Sequence, residues 1–312
     1  PNLARLGDKH FLFSDDGFVM YGVQGSSWIA MGEPVARSQD DMLELIWRYK
    51  ELVDKNRGKP AFYQVSSDYL PLYLDAGFSL VKLGEEALVD LATFTIEGSE
   101  RRRLRQTYAK AQRSNAVLEI LPQDQIPPLL NELREVSDAW LTTRGSAEKG
   151  FSLGFWTDDY ILQQPIAVVR HEGRIVAFAN LWKTDDKNEF AVDLMRHRPD
   201  APSSVMDLMF TGLMLEAKAQ GYRWFNLGMA PLSGLPQHRL ASRWSRVGRL
   251  FFRHADRFYN FEGLRAFKSK FKPEWRPKYL AYPGGLTLAQ VLIDIVALIA
   301  ESPKRMASSK QE

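Results

Sequence analysis

Ile166-Ala167-Val168-Val169-Arg170-His171-Glu172-Gly173-Arg174-Ile175-Val176-Ala177-Phe178-Ala179-Asn180-Leu181-Trp182 reads as a β-hairpin. Two apolar runs, Ile166–Arg170 and Ile175–Trp182, flank His171-Glu172-Gly173, where the glycine supplies the turn. Glu189–Met195 continues as a strand. Val205, Leu208, Met209 and Leu213 recur at helical spacing, so Ser204–Ala219 is expected to be a helix, with Ser203 or Ser204 as cap and Gly221 as stop. Tyr222–Leu227 then reads as another strand.

The same succession appears upstream. Phe11–Phe13 and Phe18–Val23 flank the turn Ser14-Asp15-Asp16-Gly17, and Trp28–Met31 is strand-like. Asp40–Lys55 has helical spacing (Met42, Leu45, Ile46, Tyr49, Leu52, Val53), with Asp40 as the expected N-cap and Arg57-Gly58-Lys59-Pro60 as the stop. Ala61–Val65 is a strand and Tyr69–Ala76 a short helix closed by Gly77. Ser79–Leu83 and Ala87–Leu91 are two further strands. Two such series suggest duplication of one α/β unit, against the alternative of a chance likeness between two α/β halves. Between them lie two helical patterns, Ser99–Ser114 and Gln125–Leu141. The expected divisions are residues 1–96, a basic helix at 97–116, residues 117–285, and a terminal helix and tail at 286–312.

At 312 residues, with 45% hydrophobic and 25% charged side chains, the chain has the balance of an ordinary globular protein with one or two cores. It has no cysteine, which excludes disulfides, a thiol nucleophile and thiolate metal sites. No run of about 18 apolar residues exists to span a bilayer. The chain begins at Pro1 without an initiator Met, as expected of a fragment of something longer.

The net charge is only +3, but the cations are clustered. Arg101, Arg102, Arg103, Arg105, Lys110 and Arg113 place six cations in thirteen residues, around an apolar seam of Leu104, Tyr108 and Ala111. Either this is a solvated helix face, or it meets a polyanion such as tRNA or anionic lipid. Arg239, Arg243, Arg246, Arg249, Arg253 and Arg257 form a second cluster, interleaved with Trp244, Phe251 and Phe252. Arginine among aromatics suits a nucleic-acid end, unless the rings are core and the arginines surface.

Two sites can carry chemistry. Asp193 lies in the apolar strand Phe190-Ala191-Val192-Asp193-Leu194-Met195-Arg196, where an ion must be paired. It is either an ion-pair partner of Arg196 or another cation, or a site carboxylate for an α-ammonium or a hydroxyl. In Phe267-Lys268-Ser269-Lys270-Phe271-Lys272-Pro273-Glu274-Trp275 one helical turn would bury the two Phe rings and present Lys268 and Lys272, a partly desolvated place for a phosphate. There is no G-x-S-x-G elbow, no H-E-x-x-H and no G-x-x-x-x-G-K-[ST] loop, which argues against serine hydrolysis, zinc chemistry and ATP hydrolysis.

Four runs in order resemble the aminoacyl-phosphatidylglycerol synthases (the multiple peptide resistance factor family). They are Lys149-Gly150-Phe151-Ser152-Leu153-Gly154, Val192-Asp193-Leu194-Met195-Arg196, Tyr222-Arg223-Trp224-Phe225-Asn226-Leu227-Gly228-Met229-Ala230-Pro231-Leu232-Ser233-Gly234, and the Lys268 run. The resemblance implies two tandem GNAT-like acyltransferase folds joined by a basic helix. It implies transfer of an amino acid from aminoacyl-tRNA, recognised at its acceptor stem, to phosphatidylglycerol, with alanine favoured over lysine. The consequence would be lower negative membrane charge and resistance to cationic antimicrobials. No metal or other cofactor is expected, and the place is the cytoplasmic face of the bacterial inner membrane, as the soluble part of a membrane protein. Acetyl-CoA is not expected, because Arg198-Pro199-Asp200-Ala201-Pro202-Ser203-Ser204 has no glycine to cradle a pyrophosphate.

Asp193, Arg196 and Lys268 are carried over as catalytic, and Asn226, Lys270, Phe151 and Ser152 as substrate-binding. The arginines and lysine of 101–113, with Arg243 and Arg246, are the expected tRNA contacts. The alternatives are a Fem-type transferase acting on a peptidoglycan precursor and a non-catalytic tRNA or membrane adaptor. Thr287–Ala300, about 21 Å long, is too short for a core of about 30 Å. It is expected either to lie in the interface or to pack on the protein, with residues 302–312 frayed.

Overall fold

The computed structural model describes residues 2–145, 147–235 and 261–309. The first hairpin forms as β1 (His10–Ser14) and β2 (Gly17–Gln24), followed by β3 (Ser27–Met31) and a two-residue β4 (Val35–Ala36) that pairs with β2. Helix α1 (Gln39–Lys55) is capped by Ser38, not Asp40. The Ser38 hydroxyl accepts from the Asp41 amide at 3.1 Å, leaving Asp40 and Asp41 in the first turn, where they favour the helix dipole. Lys59 and Pro60, read as part of the stop, already belong to β5 (Lys59–Ser66). After α2 (Leu70–Asp75), the two strands expected at 79–91 are one twelve-residue strand, β6 (Ser79–Asp90).

The chain continues through α3 (Arg102–Arg113), β7 (Ala116–Leu121), α4 (Leu130–Arg144) and α5 (Asp158–Leu162). The quoted hairpin forms as β8 (Ile166–His171) and β9 (Arg174–Lys183), and β10 (Glu189–His197) follows. Then come α6 (Val205–Ala219), β11 (Trp224–Pro231), α7 (Phe261–Ser269), β12 (Glu274–Tyr282) and α8 (Thr287–Ser309). Helix α8 therefore extends through most of the tail expected to fray.

The described strands join in one sheet, in the order β1-β2-β3-β5-β12-β6-β11-β10-β9-β8-β7. Two pairs are parallel, β3 with β5 across α1 and β10 with β11 across α6; the others are antiparallel. Strand β12 comes last yet sits between β5 and β6.

Four cores cover the sheet. One holds Tyr49, Phe62 and Tyr73 beneath α1 and α2. Another joins α3 and α6 through Leu104, Ala111, Leu208 and Phe210, with Phe225 and Phe271. The predicted seam of α3 is thus buried, with Tyr108 packed against the same core. A third gathers Val136 of α4, Tyr160 of α5 and Phe178 of β9. The fourth is α8 on the sheet, with Ile29, Leu280, Leu292 and Ile295. Leu292 and Ile295 are each only 3% exposed, so they are core residues and not a lipid-facing surface. The outward apolar residues of this region are Leu286, Ile293 and Val296. Met31 packs against both the α4–α5 core and the α8 core, which places these two on the same face of the sheet.

Candidate active site

The parallel pairing of β10 and β11 stops at Ala191 and Asn226. Two residues further on lie Asp193 on one strand and Gly228 on the other. Both strands are irregular at that point: β10 shifts register against β9 between Val192 and Met195, and β11 shifts against β6 between Asn226 and Met229. Bulges there turn polar groups into a sheet that is otherwise apolar, and parallel strands that part open a crevice at their carboxyl ends.

Asp193 lies two residues past the last pair on β10. Its Oδ1 accepts from the Gly154 amide at 2.9 Å, and its Oδ2 from the Tyr160 hydroxyl at 2.8 Å. The Tyr160 hydroxyl in turn accepts from Trp182 Nε1 at 3.1 Å. Tyr160 is fixed because Thr157 caps α5 by accepting from the Tyr160 amide. Burial pushes the Asp193 carboxyl above its usual range, opposed by the Gly154 N–H, the Tyr160 hydroxyl and the charges of Lys9 and Arg196. Burial also pushes the Tyr160 hydroxyl well up, with the Asp193 charge adding to it. A Cβ on Gly154 would stand 1.7 Å from Asp193 Oδ2, so only glycine allows this approach.

Of the two alternatives for Asp193, the pair with Arg196 does not form. Arg196, buried at 3% exposure, turns to Glu148 in a bidentate contact of 2.9 and 2.6 Å and also bonds Ser137. Trp140 lies 5.3 Å from the guanidinium. The Glu148 carboxylate also accepts from the Trp156 amide at 3.3 Å. Arg196 thus secures the segment that carries Gly154 and affects Asp193 only through its charge.

Lys268 is brought to β11 by α7. It is not presented to solvent as expected: it is 5% exposed, and its ammonium donates to the carbonyls of Gly228 at 3.0 Å and Met229 at 2.9 Å. Burial lowers its pKa to about 7, with Glu86 opposing. Phe271 is fully buried, as the four-residue spacing required, and Phe267 packs against the same core.

A polar row crosses the sheet beside this opening. The Asn226 amide donates to Glu86 at 3.0 Å and Glu189 at 3.2 Å, while its carbonyl accepts from the Gly228 amide at 2.7 Å. Lys278 stands 3.3 Å from Glu86. Burial and the Glu86 charge raise the Glu189 carboxyl. For Lys278, burial is outweighed by Glu86 and other carboxylates, and its ammonium is held up.

The remaining expected residues divide. Phe151 is buried with a left-handed backbone (φ 58°), a conformation that a bulky side chain adopts only where its surroundings enforce it. Ser152 stands near the Tyr63 hydroxyl. Lys270 is drawn away, pairing with Asp207 of α6 at 2.9 Å. Arg101 donates to the Lys270 carbonyl at 3.2 Å and Arg105 to the Ile96 carbonyl at 2.7 Å, so both are partly structural. Arg102, Arg103, Lys110 and Arg113 are exposed and pair with no acid among the described residues. Arg243 and Arg246, with the rest of the 239–257 cluster, lie outside the described residues. Asp8, Lys9, Glu86, Glu148, Tyr160 and Glu189 were not anticipated. Only Glu148 and Glu86 carried a signal, the first beside a quoted motif and the second interrupting an apolar run.

The fold is a mixed α/β sheet in which the parallel strands β10 and β11 stop pairing beside the half-buried Asp193 and the buried Lys268. The profile described as phosphatidylglycerol lysyltransferase, C-terminal, matches residues 1–282, and the chain belongs to that family. It is 39% identical over 307 residues to a phosphatidylglycerol lysyltransferase of Bacillus subtilis, covering 97% of this chain but 35% of that relative. Among solved structures, the C-terminal domain of a protein assigned as a lysylphosphatidylglycerol synthetase from Agrobacterium fabrum is similar, with a TM-score of 0.88 and 44% identity over 96% of this chain and 92% of that one. L-PGS from Bacillus licheniformis is similar with a TM-score of 0.84 and 38% identity, covering 96% and 91%.

Proposed function

We propose that the chain is the catalytic part of an enzyme that moves an aminoacyl group from aminoacyl-tRNA to the terminal glycerol hydroxyl of phosphatidylglycerol. What supports this reading is that Asp193 lies just past the last β10–β11 pair and Lys268 on the Gly228 carbonyl at the matching place on β11, within a chain of this family. The glycerol oxygen attacks the ester carbonyl, the bond to the ribose oxygen breaks, and the glycerol proton ends on that ribose oxygen. No net redox change or hydrolysis is involved. Asp193 is assigned to the α-ammonium of the aminoacyl group or to the attacking hydroxyl, and Lys268 to a phosphate or to the proton transfer. A lysine held near neutrality in pKa can change charge during turnover.

The sequence motifs favour alanine, and the names of the relatives favour lysine. Glu86 and Glu189, sharing the Asn226 amide beside the opening, suit a cationic side chain, so lysine is the first donor to test. The exposed cations of α3 are assigned to the acceptor stem. We further read the two halves of the chain as tandem GNAT-like units, 1–96 and 117–285, with 97–116 between them. The apolar residues Leu286, Ile293 and Val296 are assigned to the surface of an anionic membrane, at its cytoplasmic face.

The test supplies radiolabelled lysyl-tRNA or alanyl-tRNA with phosphatidylglycerol vesicles and follows the label. Label in the lipid fraction, abolished in a folded Asp193→Asn variant, is the expected result. Label in a lipid-linked peptide precursor supports the Fem-type alternative, and tRNA binding with no transfer supports an adaptor.

A further inference from the structure

The segment Glu148–Trp156 is a strap laced to its surroundings. The Gly150 amide donates to the Ile299 carbonyl of α8 at 2.9 Å, and the Gly154 amide reaches Asp193. Glu148 is held by Arg196. The remaining tie comes from the far end of the chain: the Phe151 amide donates to Asp8 Oδ2 at 2.8 Å. The other oxygen of Asp8 holds the Lys9 ammonium at 2.5 Å, and both side chains are almost wholly buried, at 1% and 0% exposure. The Lys9 ammonium lies 5.8 Å from the centre of the Phe151 ring.

A buried ion pair between adjacent residues is expensive to form, and hydrophobic replacements of both partners are often as stable. This pair sits where its charge is felt at Asp193, and its carboxylate grips the residue whose backbone is left-handed. We propose that Asp8 and Lys9 are positioning residues of the transfer reaction. Asp8 fixes the strap so that Gly154 stays on the Asp193 carboxylate, and Lys9 holds Asp8 in place while adding a positive charge to this buried cluster. This rests on the reading of Asp193 as a site carboxylate that must be charged to work.

The charged and titratable groups coupled to Asp193 are Tyr160 from α5, Lys9 from the segment before β1, and Arg196 further along β10. Asp8 and Glu148 neutralise Lys9 and Arg196 in turn. Removing the Lys9 charge leaves burial less opposed. The Asp193 carboxyl then titrates at a higher pH, and the acidic limb of activity moves upward with it.

The experiment compares wild type, Lys9→Met, and the double variant Lys9→Met/Asp8→Asn. Each is assayed with labelled lysyl-tRNA and phosphatidylglycerol vesicles from about pH 5.5 to 8.5, beside thermal melting. The single variant leaves the Asp8 carboxylate buried without the Lys9 cation and is expected to melt lower; the double variant regains most of the loss. In the double variant, transfer is expected to fall several-fold more at the acid end than at the alkaline end. A pH profile that superimposes on wild type, in a double variant with restored melting, overturns the inference and leaves the pair purely structural. Equal loss at all pH values also overturns the charge argument. Absence of lipid label with the wild-type chain instead counts against the proposed function itself.

Discussion

Lys268→Met tests the burial of this lysine through stability, independently of any substrate. In the unfolded chain this lysine titrates at 10.5, and in the fold at about 7. Between these values the unfolded state binds more protons, so stability rises with pH from about 7 to about 10.5, and the penalty is largest below 7. About 3.5 pKa units at 1.36 kcal/mol each give roughly 5 kcal/mol at low pH. Between pH 6 and pH 9 the wild type should gain about 3 kcal/mol from this group alone. Methionine fills a similar shape without the charge but forfeits the bonds to the Gly228 and Met229 carbonyls, costing about 1 kcal/mol each. The variant should therefore be more stable than wild type by about 2–3 kcal/mol at pH 6, and about equal near pH 9. Urea denaturation of both proteins at pH 6, 7.5 and 9 measures the difference. Stability curves that stay parallel over that range would refute the desolvation argument, because the group would then titrate alike in both states.

Two further outcomes are expected. Gly154→Ala drives a methyl into the Asp193 carboxylate and should reduce lipid aminoacylation about as severely as Asp193→Asn, with the melting temperature separating displacement from unfolding. Binding of lysyl-tRNA should weaken steeply with salt, and Arg102→Glu/Arg103→Glu/Arg113→Glu should flatten that slope; a slope unchanged from wild type in a binding titration rules out α3 as the phosphate contact.

Much of the secondary structure was legible because it rests on local pattern. The hairpin at 166–182 and the spacing of α1 and α6 need no tertiary information. Strand β6 was not legible. Gly84-Glu85-Glu86 reads as a break between two strands, yet these residues pair on both sides within a continuous strand. Their partners come from distant segments: Glu85 bonds Ser233 and Arg265, and Glu86 bonds Asn226. Asp193 stood out as an ion in an apolar strand. Its true partners did not, because Tyr160, Gly154 and Lys9 meet it only through the fold. The Asp193–Arg196 alternative followed from closeness in sequence, but the bulge in β10 and the pull of Glu148 send the two side chains to different partners. Lys268 was identifiable from its Phe neighbours, whereas its burial depended on the open carbonyls of the β11 irregularity.

The position of β12 bears on how the chain is made. Without residues 274–282, the strands β1-β2-β3-β5 and the strands β6-β11-β10-β9-β8-β7 have no hydrogen bond between them. During synthesis both sets can form early, leaving β5 and β6 as two open edges until residues 274–282 have emerged from the ribosome. Such edges invite pairing with other chains, and closing them by a segment more than 180 residues beyond β6 is a slow, non-local step. A ribosome that stalls shortly before Glu274 would leave a product with two half-sheets and no closing strand, a natural target for chaperones and proteases.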